Sequence, residues 1–437
     1  MRLRMSALAE RLRSSLFFVP MVAVFFATGF GFASLAIDRN IEKVVADLPI
    51  GFASTVESAR TLLGVIAGAT ISFAGIAFSV SLLIIQLASS QYSPRVVHTL
   101  FRDPFNKRVM ALVVGTFTYC VVVLRSVRSS FEPGGKPVIP NLSVTLAVVL
   151  GIATILAIVA FINHSAHSMD VSEILQRIRR EATEQIRSEW TPADPADDRS
   201  FRPRPGAADS TTMIRHDRSG WVQQIDVDAM LGCVPEGTIL TVETYAGRFA
   251  IEGTRFCTLS PAIGEQDRDD VGRRLLASVS IGHTRTMLQD VSYGLRQLVD
   301  VGVKALSPGI NDPTTAQDAI FHTGAVLAEL LRHDPPHLLR TKGTRTVVMV
   351  EQPTHEELVR LAYDETRRAG AGQPAVCEYL LVSIASLVES LEAASLSDRT
   401  VELRRQARLI IDGCGVSELL DDDIEVVRQS YRDKFST

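Results

Sequence analysis

The residues best suited to chemistry lie in the second half of the chain. His283 and Asp290 fall in a segment of helical periodicity, and Asn311 and Asp312 follow it. Aspartate and histidine can serve as general acids and bases. However, Asp290 falls on the predicted solvent face of that helix, and Asp312 before Pro313 has the pattern of a helix N-cap. Because no nucleophile or metal set accompanies these residues, structural roles are favoured, and a functional turn is the alternative.

Other common chemistries find little support. His164, His167 and Asp170 could share a helix face and ligate a metal, but no second cluster completes a site, so they are interpreted as polar residues at a membrane exit. The five cysteines show no CxxC spacing, which argues against a zinc site or a disulfide framework and fits a reducing compartment. GxGxxG, Walker A and HExxH motifs are absent from the sequence. We therefore predict no metal and no cofactor.

The stretch that organises the chain is residues 62–88, which contain no Asp, Glu, Lys or Arg. As a helix it would be roughly 40 Å long, more than the hydrocarbon core of a bilayer. At helical spacing its small and polar residues share one arc: Thr61, Gly64, Gly68, Ser72, Gly75, Ser79, Gln86 and Ser90. The opposite arc is bulky and apolar: Leu62, Ile66, Phe73, Ile76, Val80, Leu83, Ile84 and Leu87. The small arc is predicted to meet protein or water, and the bulky arc to meet lipid.

Three further apolar runs complete a predicted membrane domain over residues 1–162. The four predicted spans are about 16–37, 62–88, 109–124 and 142–162. The first could be a signal peptide, since Arg2, Arg4, Arg11 and Arg13 precede it, but its 22 residues exceed the usual signal core and favour an uncleaved span.

The distribution of basic residues predicts the orientation of these spans. Eleven Lys and Arg residues flank one side: Arg2, Arg4, Arg11, Arg13, Arg95, Arg102, Lys107, Arg108, Arg177, Arg179 and Arg180. Six flank the other: Arg39, Lys43, Arg60, Arg125, Arg128 and Lys136. The positive-inside rule therefore predicts a multi-pass protein of the bacterial inner membrane with both termini in the cytoplasm.

The loop between spans two and three has an interfacial pattern. Tyr92, Arg95, His98 and Arg102 surround an apolar face in a basic segment. The plain interpretation is a short helix in the headgroup region that serves topology. A collar that gates span two or binds lipid is the alternative.

Several segments carry a resemblance to a known family. They are AGATISFAGIAFSVSLLIIQLASSQYSPR, GTFTYCVVVLRSVR, SGWVQQIDVDAM and ALSPGINDPTTAQDAI. Together they resemble a family of bacterial predicted membrane proteins, domain of unknown function 2254, over most of the chain. The resemblance implies the four-span architecture and brings no established activity.

The remainder reads as a cytosolic region of α+β class. Residues 163–190 are predicted to form a helical stalk and residues 191–219, with four prolines, a linker. Residues 220–261 resemble a small β barrel-sandwich module related to lipoyl carriers, but they hold no lysine to carry a cofactor. Residues 262–437 are predicted to be a mainly helical domain, beginning with one amphipathic helix over 283–306.

The sequence thus predicts an α-helical integral membrane protein with four transmembrane helices and a cytosolic regulatory region. Its expected partners are the lipid bilayer and further copies of itself. The net charge of −4 argues against a nucleic-acid partner. A homo-oligomeric channel or transport protein is the leading function. A membrane-anchored scaffold or sensor without a pore is the alternative, and a membrane-bound enzyme is the third.

Overall fold

The chain divides into two compact units. The computed structural model describes residues 18–41, 55–91, 104–128, 139–167, 170–193, 210–337, 339–349 and 352–435. The membrane unit is built from the described residues up to Asp170 except Gln91, and the C-terminal unit consists mainly of those beginning at Val171.

Four long apolar helices form the membrane unit. They are α1 (Phe18–Ile41), α2 (Val56–Gln91), α3 (Pro104–Leu124) and α4 (Asn141–His167). Each coincides with one predicted span and is long and apolar enough to cross a bilayer. The length of the charge-free runs was therefore enough to locate these four helices from the sequence.

The predicted count of four spans is not exact, because five described helices meet the same length and apolarity criterion. The fifth is α11 (Pro374–Ala393) in the C-terminal unit. It lies in contact with four other helices of that unit, and half of its most apolar stretch is buried there. A helix that packs against several others in a protein core can be as apolar as one surrounded by lipid, so composition alone does not separate the two cases.

Polar contacts tie three helices of the membrane unit together. Both oxygens of Asp38, near the end of α1, accept backbone N–H groups at the start of α4, from Leu142 at 3.0 Å and Ser143 at 3.0 Å. The hydroxyl of Tyr119 on α3 lies within hydrogen-bond distance of the Ser34 hydroxyl on α1 and of the carbonyl oxygen of Ser143, at 3.1 Å from each. Asp38 thus satisfies backbone donors that the first turn of a helix leaves unpaired.

The C-terminal unit contains nine further α-helices among its described residues. They are α5 (Val171–Glu189), α6 (Val227–Cys233), α7 (Glu265–Leu276), α8 (Val291–Ala305), α9 (Pro313–Leu331), α10 (His355–Gly370), α11, α12 (Val401–Gly415) and α13 (Asp421–Phe435). Helix α5 was expected to be a stalk. Instead its apolar face, which includes Ile178 and Ile186, is fully buried against α8 and α9. A strongly amphipathic helix needs such a partner for its apolar face, and α5 finds it within the unit.

Ten short strands accompany the helices of this unit. They are β1 (Thr191–Pro192), β2 (Thr212–Arg215), β3 (Gly220–Ile225), β4 (Ile239–Val242), β5 (Phe249–Ala250), β6 (Arg255–Ser260), β7 (Val279–Gly282), β8 (His333–Asp334), β9 (Leu339–Lys342) and β10 (Arg345–Met349). Five form one sheet in the order β2-β6-β4-β10-β9, three form a second in the order β5-β3-β7, and β1 pairs with β8.

These open sheets replace the predicted barrel-sandwich module, since the described strands close no barrel. The module also does not end at Pro261: β7 pairs with β3, and β10 runs parallel to β4 with Thr346 opposite Ile239. Strands from the predicted linker and the predicted helical domain therefore complete the sheets. Local patterning could not reveal these long-range pairings.

Candidate functional site

The small and polar face of α2 lies on the open surface of the protomer. Gly64, Gly68, Ser72, Gly75, Ser79 and Gln86 are all exposed. A Cβ atom added at any of the three glycines would have no neighbouring atom within 4 Å. Ser90 belongs to the same helix, at its end, beyond the side chains that the structure describes. The predicted stripe is therefore continuous and uncovered over about six turns.

The opposite side of α2 packs inside the membrane unit. Leu63, Ala67 and Ala77 are buried, and Phe73 meets Phe161 of α4 edge to face, with ring centroids 6.4 Å apart. The bulky arc is therefore only partly a lipid surface, contrary to expectation. Its residues Ile66, Phe73 and Ile84 pack within the protomer, whereas Leu62, Ile76 and Leu83 are exposed.

The predicted interfacial collar lies outside the described residues, which resume at Pro104 after Gln91. Tyr92, Arg95, His98 and Arg102 remain candidates from the sequence alone. The histidine pair at the end of span four is described in part: the His164 ring lies 4.6 Å from that of Phe105. Among the described residues no group of three His, Cys, Asp or Glu side chains is arranged to hold a metal ion.

Asp290 is buried, which corrects its predicted position on a solvent face. The expected helix over 283–306 begins only at Val291, because residues 279–282 form β7 and the chain then turns. Asp290 is 3% exposed and forms an ion pair with Arg285 at 2.7 Å, while Ser292 donates a hydrogen bond to its other oxygen at 2.6 Å. The ion pair gives this buried carboxylate a structural partner that the sequence did not indicate.

Arg285 is itself held between two aromatic rings. Its guanidinium carbon lies 5.2 Å from the ring centroid of Trp221 and 5.1 Å from that of Tyr293. Such cation–π contacts add to the ion pair and fix the planar group. The opposing turn must also approach closely, since a Cβ at Gly247 would clash with the carboxyl group of Asp290. Gly247 has a φ of +95°, which glycine adopts without strain.

Asn311 and Asp312 have the structural role that the sequence favoured. Asp312 caps α9, accepting hydrogen bonds from the backbone N–H of Thr314 at 3.1 Å and Thr315 at 3.0 Å, with Pro313 in the first turn. The predicted cap is confirmed. Asn311 has a φ of +50° and accepts a hydrogen bond from Gln373 at 3.1 Å.

The four candidates do not form one site. Asp290 precedes α8 and Asp312 follows it, so a helix of 15 residues, about 22 Å long, separates them. His283 is exposed on the segment after β7. Asp290 lies beside a concave surface.

That surface is a cleft of about 570 Å³ within the C-terminal unit. Its lining includes Glu189, Trp190, Tyr245, Asp290 and Arg340. Burial raises the pKa of the Glu189 carboxyl, and a hydrogen bond from Gln185 opposes this. Burial likewise raises the pKa of Asp290, with Arg285 and Ser292 acting in the other direction.

Several polar side chains of the cleft already have structural partners. Gln289 accepts a hydrogen bond from the backbone N–H of Ile225 at 2.8 Å, and Asp226 caps α6 through the N–H of Ala229 at 2.9 Å. The sequence analysis did not identify Arg285 as the partner of Asp290. The available signal was that a basic residue lies five positions before this aspartate. The cleft has the volume of a small-molecule site, but its described residues do not form a recognisable catalytic set.

The fold defines a helical membrane protein with a mixed C-terminal unit. The chain belongs to the family described as predicted membrane protein (DUF2254), whose model matches residues 13–386. It is 29% identical over 413 residues to uncharacterized proteins of Mycobacterium tuberculosis and Mycobacterium bovis, covering 93% of this chain and 78% of each relative. No solved structure matches it significantly.

The Asp312 cap gives a prediction with a defined pH dependence. Hydrogen bonds from Thr315 and from backbone N–H groups lower the pKa of Asp312. The contribution of the ionised Asp312 to the free energy of unfolding is therefore fully present above the unfolded-state pKa of about 3.9. It is lost as the pH falls through the lower folded-state pKa. Asp312→Ala should lower the free energy of unfolding by about 1 kcal/mol at neutral pH.

The measurement is thermal unfolding of the full-length protein in detergent. Asp312→Asn is the matched control, because asparagine caps helices about as well as aspartate. The difference in unfolding temperature between wild type and Asp312→Ala should become smaller in acid. An equal loss in both variants would contradict the capping role.

Proposed function

We propose that this protein is a homo-oligomeric channel of the bacterial inner membrane, in which the small and polar face of α2 meets neighbouring copies and a water-filled path. The C-terminal unit is the regulatory part in this proposal. The observation that carries it is the uncovered stripe on α2, which lies opposite the face that packs within the protomer.

The glycines support assembly between copies. In a bilayer, helices associate through close van der Waals contact at small residues, because lipid tails are as apolar as leucine. Gly64, Gly68 and Ser72 repeat at four-residue spacing. Exposed bulky residues border this stripe, among them Phe78 on one side and Ile76 on the other. A groove between two apolar ridges is the surface on which a second helix packs closely.

The polar members of the stripe support a water-filled path. Gln86 and Ser72 are exposed on the protomer, and an amide in contact with hydrocarbon loses its hydrogen bonds to water. Polar residues within membrane spans generally face protein or an aqueous cavity. Gln86 extends the stripe toward the end of α2 that is predicted to be cytoplasmic.

One contact favours the alternative of a scaffold or sensor without a pore. The Ser79 hydroxyl donates a hydrogen bond to the carbonyl oxygen of Gly75 at 3.0 Å, one turn earlier in its own helix. This hydroxyl is satisfied without water. A sealed interface between helices would accommodate it as well as a pore would.

Assembly is tested by Gly68→Leu. The residue has open space around it in the protomer, so leucine should leave the protomer folded but prevent close contact between copies. We expect a shift from oligomer to monomer, measured by cross-linking and native mass spectrometry in detergent. Gly29→Leu is the matched control, because Gly29 on α1 is also exposed and uncrowded. Unchanged assembly of Gly68→Leu would refute the interface.

The choice between pore and scaffold is tested with cysteines at Ser72, Ser79 and Gln86. In a water-filled path they should react with small charged thiol reagents in the assembled protein. Cysteine at Ala77, which is fully buried, should not react, and the unsubstituted protein gives the background from its native cysteines. No reaction at the three stripe positions, in folded oligomeric protein, would replace the channel by the scaffold.

The orientation is tested independently. The excess of Lys and Arg on one side of the spans supports cytoplasmic termini. A cysteine at Thr437 should react with a membrane-impermeant reagent only after the cells are lysed, and a cysteine at Lys136 should react in intact cells. Labelling of Thr437→Cys in intact cells would overturn this topology.

A further inference from the structure

A second hollow in the C-terminal unit, of about 450 Å³, is lined mainly by polar groups. We call it the arginine hollow. The residues that carry the argument are His216, Thr244, Arg248, Phe249, Ile251 and Arg255. His216 is held beside the turn that follows β5, because its backbone N–H donates to Thr254 and its carbonyl oxygen accepts from Gly253, both at 2.9 Å.

Two buried side chains of the hollow have polar atoms without partners. His216 is 5% exposed and Thr244 is 3% exposed. Among the described residues, neither Nδ1 of His216 nor Oγ1 of Thr244 has a hydrogen-bond partner. Buried polar groups in folded proteins are nearly always hydrogen-bonded, so an unpaired pair at one hollow indicates a missing partner. Burial is the main cause that lowers the pKa of His216, and a neutral imidazole offers one donor and one acceptor.

The exposed lining residues supply positive charge. Arg255 is paired with Glu243 at 3.3 Å, and Glu243 also accepts a hydrogen bond from Thr258. Arg248 donates to the backbone carbonyl oxygen of Glu243 at 3.3 Å, which uses one of its five N–H donors. Glu243 therefore compensates the charge of Arg255. The positive charge of Arg248 stays uncompensated in the hollow.

The geometry points to a phosphate-binding site in the arginine hollow, with Arg248 and Arg255 at its exposed side and Thr244 and His216 at its buried side. Guanidinium groups match the tetrahedral oxygens of phosphate, and a hydroxyl and an imidazole N–H add two donors. The single uncompensated positive charge suits one phosphate group.

The surroundings of the hollow bear on the source of the phosphate. Phe249 is 48% exposed and Ile251 is 57% exposed, and both line the hollow. Apolar side chains beside an anion site can contact the remainder of a phosphate ester. A lipid headgroup and a soluble phosphate compound share this chemistry, and the experiment below separates them.

The test is titration of the full-length protein, in uncharged detergent, with inorganic phosphate. Binding is measured by calorimetry and by the shift in unfolding temperature, and chloride at matched ionic strength is the control anion. We expect saturable binding. Arg248→Gln should weaken it at least about tenfold, because a charge-assisted hydrogen bond is lost. Arg273→Gln, an exposed arginine outside the hollow, is the matched control and should bind as the wild type does.

Thr244→Val keeps the shape of the buried side and removes only the unpaired hydroxyl. It should leave the unfolding temperature unchanged or raised while phosphate affinity falls, which a purely structural hydroxyl would not do. Absence of saturable binding, or equal effects of Arg248→Gln and Arg273→Gln, would overturn the site and leave a water-filled hollow.

Nanodiscs then distinguish the two sources. If a headgroup enters the hollow, phosphatidic acid added to phosphatidylcholine discs should lower the apparent affinity for inorganic phosphate in the wild type but not in Arg248→Gln. If the ligand is soluble, phosphatidic acid should leave that affinity unchanged.

Discussion

The exclusion of water from a bilayer is the constraint on which the membrane unit depends. Polar groups inside it need partners in protein or in an aqueous path, and several of them form hydrogen bonds within the unit. Asp38 binds the first N–H groups of α4, and the hydroxyls of Thr116 and Thr154 bond each other across α3 and α4 at 3.0 Å. Thr70 and Ser81 donate to backbone carbonyl oxygens of their own helix. Because these polar groups are already bonded, the packing of the helices depends on the shapes of their apolar faces.

The same constraint gives α2 its particular form. Its packed face is apolar and finds partners in the protomer, whereas its small face is left open. In water, the hydrophobic effect determines which face of a helix is buried. In lipid both surroundings are apolar, so the face that packs closely against another helix is the one with small side chains. The stripe is thus defined by side-chain volume more than by polarity, and assembly and conduction become separable properties of one helix face.

The sequence predicted those features that depend on neighbouring residues. Charge-free length located α1 to α4, the residue order Asp312-Pro313 located a helix start, and helical spacing located the stripe on α2. The missed features depend on contacts between distant segments. The turn at Gly247 lies so close to Asp290 that a Cβ atom there would clash with its carboxyl group, and this approach of a distant segment is not visible in the periodicity around Asp290. The helix α11 is apolar because of its neighbours, which composition does not identify.

The parallel pairing of β4 with β10 has a consequence for synthesis of the chain. Ile239 leaves the ribosome about a hundred residues before its partner Thr346. During that interval one edge of β4 has no strand beside it, and the intervening chain must make α7, α8 and α9. Unpaired strand edges attract other chains. The nascent C-terminal unit is therefore most prone to aggregation in this interval, when the membrane spans have already been translated.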